Sequence, residues 1–306
     1  MFQFIVRRLL QLIPVLLGVT ILVFSLMHLS PGNPAHIIAG ESAPKDTVEQ
    51  IEERLGLNDP ILVQYGNFLK DVVTLDFGNS WRTSLPVSEE LWPKFWVTFE
   101  LSVYSTIFSI FLGLIAGIIS AVRQYSVADV SIMLVALFGL SMPNFWLGLM
   151  LMQWFSINLG WLPATGWGSA EQIVLPVITL GTMGAAVIAR MTRSSMLDVV
   201  TQDYIRTARA KGLSERLVIY KHALKNALIP VVTVVGLQFG SLLAGAVLTE
   251  SVFAINGMGK LIVDRILARD FPTVQAAVLV IAVIFVLVNL LVDISYKFLN
   301  KRIDLD

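Results

Sequence analysis

The sequence contains no cysteine. That absence excludes disulfides, thiolate metal ligands and cysteine nucleophiles, and it leaves the compartment open. Charge is scarce as well. Asp, Glu, Lys and Arg make up 14% of the 306 residues, against about a quarter in soluble domains. The 22 basic and 22 acidic residues cancel, so bulk charge gives no footing for nucleic acid as a partner. The three histidines, His28, His36 and His222, show neither i, i+4 spacing nor H-E-x-x-H, so no helical metal site is expected. No phosphate-binding G-x-x-x-x-G-K-[ST] occurs. The nearest fragment, Gly257-Met258-Gly259-Lys260, lacks the upstream glycine.

What is present is apolar: 56% of the residues, with a mean hydropathy of +0.75. A soluble fold cannot hide that much apolar surface, whereas a bilayer requires it. Six stretches are long enough to cross roughly 30 Å of hydrocarbon as helix. They lie near Leu9 to Leu29, Val97 to Val122, Val130 to Leu159, Gln172 to Met191, Leu228 to Thr249 and Val274 to Ile294. The first follows Arg7 and Arg8 like a signal peptide, but it lacks a small-x-small cleavage site and is read as a retained helix. The third carries Pro143-Asn144 at its middle and is either kinked or broken there.

The loops set the orientation. Arg7 and Arg8, Arg123, the long fourth loop with Arg190, Arg193, Arg206, Arg209, Lys211, Arg216, Lys221 and Lys225, and the tail with Lys297, Lys301 and Arg302 are basic. The third loop, Asn158 to Glu171, has no Lys or Arg, and its Trp161 and Trp167 suit an interface. The positive-inside rule puts both termini and the long basic loop in the cytoplasm. The most polar stretch, 30–94, is then extracytoplasmic. Its acidic residues, the aromatic run Tyr65, Phe68, Phe77 and Trp81, and the helical spacing of Val48 to Leu57 predict a small folded cap. The chain divides into a first helix (1–29), this segment (30–94), a membrane domain (95–294) with a loop at 192–230, and a tail (295–306).

Small residues recur four apart at Gly113 and Gly117, at Gly181, Ala185 and Ala189, and at Gly236, Gly240 and Ala244. Such runs either mark close helix contacts or reflect how common glycine is in membrane helices. The segment from Thr201 to Pro230 reads TQDYIRTARAKGLSERLVIYKHALKNALIP. Thr201 with Asp203 is the expected helix start, Gly212 the C-cap and Ser214 the next N-cap. The expectation is helix, sharp turn, helix: a rigid elbow suited to being gripped by a partner and to moving spans four and five.

At these residues the chain resembles the permease subunits of binding-protein-dependent ABC importers, in the dipeptide/oligopeptide/nickel branch. The family's EAA loop is Glu-Ala-Ala, three residues, Gly, nine residues, then Ile-x-Leu-Pro. Here Arg206-Thr207-Ala208 and Gly212 take the leading places, while His222 and Lys225 replace the Ile and Pro. The branch's own version, R-T-A-[RK]-A-K-G followed by K-H-A-L-[RK]-N-A-L-I-P, matches almost completely. Similar branch segments are Pro31-Gly32-Asn33-Pro34, Asp76-Phe77-Gly78, Thr192-Arg193-Ser194-Ser195-Met196 and Arg269-Asp270-Phe271-Pro272.

The resemblance implies an all-α type I permease with six transmembrane helices in a bacterial or archaeal plasma membrane. It also implies a second homologous permease, two ATP-binding cassette ATPases carrying ATP and Mg, and an extracytoplasmic solute-binding protein. By analogy Asp203, Tyr204, Arg206, Thr207, Ala208, Lys211 and Gly212 would form the coupling helix seated in an ATPase groove. The cargo would be di- or oligopeptides, or alternatively nickel complexes or glutathione.

Polar groups at membrane depth invite functional readings. Asn144, Gln153 and Gln238 either line a translocation path or bond a neighbouring helix. Glu250, at the outer end of span five, either meets solute or binding protein or is structural. Glu100 and Asp293 sit near span ends and are read as anchors. The spans lack a clearly central ionisable residue, which counts against an ion-gradient-driven transporter. No nucleophile–base pair supports an intramembrane enzyme.

Overall fold

A backbone in hydrocarbon must satisfy its own N–H and C=O groups, and helices do so within one segment. The computed structural model, which describes residues 2–29, 32–40 and 43–299, follows that rule. Helix dominates, and among the described residues the β-pairing is a single bridge between Asn79 and Pro86. Pro31 and Asn300 to Asp306 lie outside the described residues, as do the side chains of Ala244, Asp293 and Lys297. Five helices are long and apolar enough to span, and a bent pair supplies a sixth. The chain divides into two compact units.

The first unit takes in Met1–Trp96 and Gly257–Ile284. Its first span, α1 (Phe2–Leu29), is followed by α2 (Pro34–Ala39), α3 (Lys45–Arg54) and α4 (Ile61–Thr74). Asn33 caps α2 by accepting a 2.9 Å bond from the Ala35 N–H, and Pro34 stands at the first helical position, where no N–H is missed. Helix α3 begins and ends three residues before the expected Val48 to Leu57. Pro44 sets its start, and Gly56 turns left-handed (φ +66°) after it. The polar segment folds back on the span that precedes it. Tyr65 meets the Phe24 ring edge-on and Phe68 lies tilted against it, at 5.3 and 5.7 Å between centroids, and the hydroxyls of Thr20 and Tyr65 are 2.9 Å apart.

The same unit holds α13 (Met258–Leu267), the start of α14 (Phe271–Leu299) and the first turns of α5 (Val87–Val122). Asp270, fully buried, is the knot between them. Its carboxylate accepts from Ser80 Oγ (2.6 Å), the Trp81 N–H (2.9 Å) and Thr273 Oγ1 (2.8 Å), and Arg265, itself paired with Glu90, approaches at 3.7 Å. A buried charge persists only when it is paired and hydrogen-bonded in this way.

The second unit takes in Val97–Asn256 and Phe285–Asp306. It contains α6 (Val127–Ser141), α7 (Asn144–Leu151), α8 (Ala170–Val200), α9 (Asp203–Ala210), α10 (Glu215–Leu217), α11 (Leu224–Gly245) and α12 (Val247–Val252). The third stretch is broken, not kinked. Pro143 has no N–H to donate and forces Met142 into an extended conformation, so α7 leaves α6 at 103°. A π-helical turn, Met152–Asn158, closes this second half.

Helices α5 and α8 meet along their small residues. A Cβ on Gly113 would lie 2.8 Å from the Ala185 carbonyl oxygen, and one on Gly117 2.6 Å from that of Ala189. The Ser109 hydroxyl donates to the Gly181 carbonyl at 2.7 Å. Gly236 and Gly240 face Val292 and Phe285 of α14 in the same intimate way. The glycines of these runs sit at helix contacts, which lipid, being as apolar as the side chains, would not otherwise enforce, while the Ala244 side chain lies outside the described residues.

Candidate functional site

The elbow is built as the sequence suggests, with one shift at its start. Thr201 does not open α9; it ends α8, its hydroxyl donating to the Asp198 carbonyl at 2.8 Å. Gln202, extended (φ −71°, ψ 150°), is the N-cap of α9. Asp203 follows in the first turn, where a carboxylate suits the positive helix end. The helix stops at Lys211, and Gly212 makes the turn at φ +75° with open space where a Cβ would be. Ser214 then leads into α10, with its backbone in place but no side-chain capping bond. From Glu215 the chain runs through a second π-helical turn, Val218–Ala223, directly into α11. The second arm of the elbow and the fifth span are therefore one helix, beginning well before the expected Leu228.

Burial splits α9 into two faces. Ile205 and Ala208 are buried with Met196 of α8 and with Val218, Ala223 and Ala227 on the outgoing helix. Asp203, Tyr204, Arg206, Thr207, Arg209 and Lys211 are exposed. Two contacts stiffen the bend: Arg209 pairs with Glu215 at 2.8 Å, and Asn226 donates to the Tyr204 hydroxyl at 2.7 Å. All seven expected elbow residues fall on this one short piece. Ala208 serves the inner face, Gly212 the turn, and the other five the outer face. The piece is a polar handle with an apolar root in both neighbouring spans.

The polar residues expected at membrane depth behave differently. Asn144 opens α7 beside the break and is half-buried. Gln153 is exposed and bonds Asn158 at 3.0 Å. Gln238 is half-buried, with its Oε1 3.5 Å from where a Cβ on Gly184 would stand. Glu250 is fully buried, accepting a 2.6 Å bond from Thr98 Oγ1, so it lines no open path in this structure. Glu100 is exposed and accepts from the Trp167 indole at 3.4 Å.

One cluster escaped the sequence. Arg193, expected in the basic loop, lies inside α8 and grips Asp129 of α6 with two bonds, 2.7 Å from Nε and 2.8 Å from Nη2. The Ser120 hydroxyl of α5 and the Tyr125 N–H also donate to that carboxylate. The available signal was Ser126, which caps α6 through the Asp129 N–H, and an acid held in the first turn of an otherwise apolar helix.

The family described as "binding-protein-dependent transport system inner membrane component" matches residues 113–305, and the N-terminal part of such membrane components matches residues 1–102. The dipeptide transport system permease protein DppB of Alkalihalophilus pseudofirmus is 50% identical, over 99% of both chains. The glutathione transport system permease protein GsiC is 46% identical in Salmonella typhimurium LT2 and 44% in Escherichia coli K12, again over 99% of both chains. Among solved structures, an inward-facing MetNI methionine ABC transporter aligns with a TM-score of 0.59 at 17% identity, covering 69% of this chain and 96% of that one. At that identity the likeness is one of fold. The chain belongs to the family of binding-protein-dependent transport system inner membrane components and is a multi-pass permease subunit of an ABC importer.

Proposed function

We propose that this permease carries small peptides inward and is driven by two ATPases, one of which grips the outer face of α9. The two-faced elbow is the observation that carries the reading. Its polar side is free to be held, while Ile205 and Ala208 root it in the core shared with α8 and α11. ATP must favour one global state over the other, and the elbow transmits that difference. The peptide cargo rests on the 50% identity to a dipeptide permease. The glutathione permeases favour a second cargo of the same class, a tripeptide. In this reading a second permease completes the membrane pair and a solute-binding protein delivers from outside. Both termini and the elbow lie in the cytoplasm, 30–94 is extracytoplasmic, and 95–294 is the transmembrane domain with its coupling loop at 192–230. Asn144, Gln153 and Gln238 belong to the membrane path, which Glu250 joins only if α12 moves.

Reconstituted with its partners in liposomes, the importer should take up dipeptide in a manner stopped by vanadate and indifferent to collapse of ion gradients. Uptake by this chain alone, or uptake that follows the gradient, overturns the reading. The elbow has its own test. A β-branched side chain at a left-handed position costs about 1–3 kcal/mol, whereas asparagine tolerates it. Gly212→Val should therefore lose ATP-coupled uptake while Gly212→Asn keeps most of it. Equal uptake by the two variants would remove Gly212 from the coupling path.

A further inference from the structure

A cavity of about 630 Å³ lies within the first unit, against the end of α1 and under the polar segment. Its size falls within the roughly 300–1,000 Å³ of small-molecule clefts. One face of α4 forms a wall: Gln64, Asn67, Phe68, Asp71 and Val72 follow one another at helical spacing. The walls are fixed. Gln64 donates to the carbonyls of Leu57 (3.0 Å) and Asp59 (2.8 Å), and Ser80 is tied to buried Asp270. Phe68 and Trp81 supply aromatic surface.

The charges lining this space are Arg54, Asp71 and Asp76. Asp76 accepts from the Gly78 N–H at 3.1 Å. Arg54 and Asp71 are exposed, and among the described residues neither takes part in a salt bridge. Arg54 closes α3 ahead of the turn that Gln64 pins, and Asp71 stands about two turns beyond Gln64 on α4, so the opposite charges line the same space from two different helices. A guanidinium suits a carboxylate, and an aspartate suits an ammonium.

We infer that this cavity is a binding site for short zwitterionic peptides, with the α-carboxylate on Arg54, the α-ammonium on Asp71 and side chains against Phe68 and Trp81. It would receive peptide on the outer side of the permease, and it rests on the peptide reading above. The experiment uses the full permease with its partner permease and ATPases in lipid nanodiscs, without binding protein. The probe is labelled alanyl-phenylalanine. Saturable binding is expected, at least tenfold weaker in Arg54→Glu and in Asp71→Lys, and at least tenfold weaker for the N-acetylated, C-amidated probe. The melting temperature of both variants should match the parent, because both side chains are exposed. Absence of saturable binding, or binding indifferent to both substitutions, overturns the site. Vanadate-sensitive dipeptide uptake alongside such a failure sinks the site and leaves peptide import standing. Charge-dependent binding without any uptake supports the site and sinks the import reading.

Discussion

Arg193→Ala should be among the most damaging single substitutions in this chain, with an expected loss of about 3–5 kcal/mol. Asp129 is 2% exposed and its carboxylate is matched by four donors: two from Arg193, one from Ser120 and one from the Tyr125 N–H. Removal of the guanidinium strands a buried anion with two neutral donors. The reverse substitution is gentler. Arg193 keeps 25% of its side chain exposed, so in Asp129→Ala it can turn toward water. An apolar pair, Asp129→Leu with Arg193→Met, should recover most of the loss, since a buried ion pair often contributes little over a well-packed apolar one. Unfolding midpoints of the parent, the two alanine variants and the Asp129→Ala/Arg193→Ala double variant, followed by tryptophan fluorescence in detergent, form a double-mutant cycle, and the apolar pair is measured beside them. Equal damage from the two single substitutions, or no coupling between them, would show that the pair is not a buried clamp. It joins the ends of α5, α6 and α8 just ahead of α9, so that the three helices are tied at one buried point.

The second large effect is steric. Gly117→Val should fail to assemble a stable protein, and Gly117→Ala alone should destabilise by roughly 1–3 kcal/mol through overpacking. A Cβ at this site would stand 2.6 Å from the backbone oxygen of Ala189 and 2.6 Å from Thr192 Cβ. A backbone oxygen cannot step aside, so α5 must lift from α8, and the contacts at Gly113 and Ser109 go with it. Gly18 is the control. It is also helical, but nothing lies within 4 Å of its Cβ position, so Gly18→Ala should be neutral or gain up to about 1 kcal/mol in helix propensity. Yield and melting temperature of the two alanine variants, measured side by side, decide the matter. Like behaviour at both sites would mean that propensity, not packing, governs these glycines.

Much of the architecture was legible because the bilayer makes the decisive signals local. A span needs about 20 apolar residues wherever its partners lie, so every stretch read from hydropathy falls on helix, the third divided at Pro143 and the fifth at Ala246, and α5 starts at Val87 instead of the expected Val97. The elbow was local too. Asp203 near a helix start, an alanine-rich turn and Gly212 at φ +75° are all settled within ten residues. The one misreading there, Thr201, arose because threonine ends α8 with the same hydroxyl that could have begun α9.

The sequence by itself determined a membrane-embedded helical bundle of five or six apolar spans and the place of its sharp turn at Gly212. Backbone hydrogen bonding in lipid and the left-handed turn at glycine leave few alternatives at those points. Only the tertiary structure decided which charges are spent internally. Arg193 and Asp129 are 64 residues apart and Ser80 and Asp270 are 190 apart, while Glu250 turned inward to Thr98. A buried charge draws its partner from whichever helix packs against it, and a periodic run of apolar residues says which face is buried but not which neighbour will cover it.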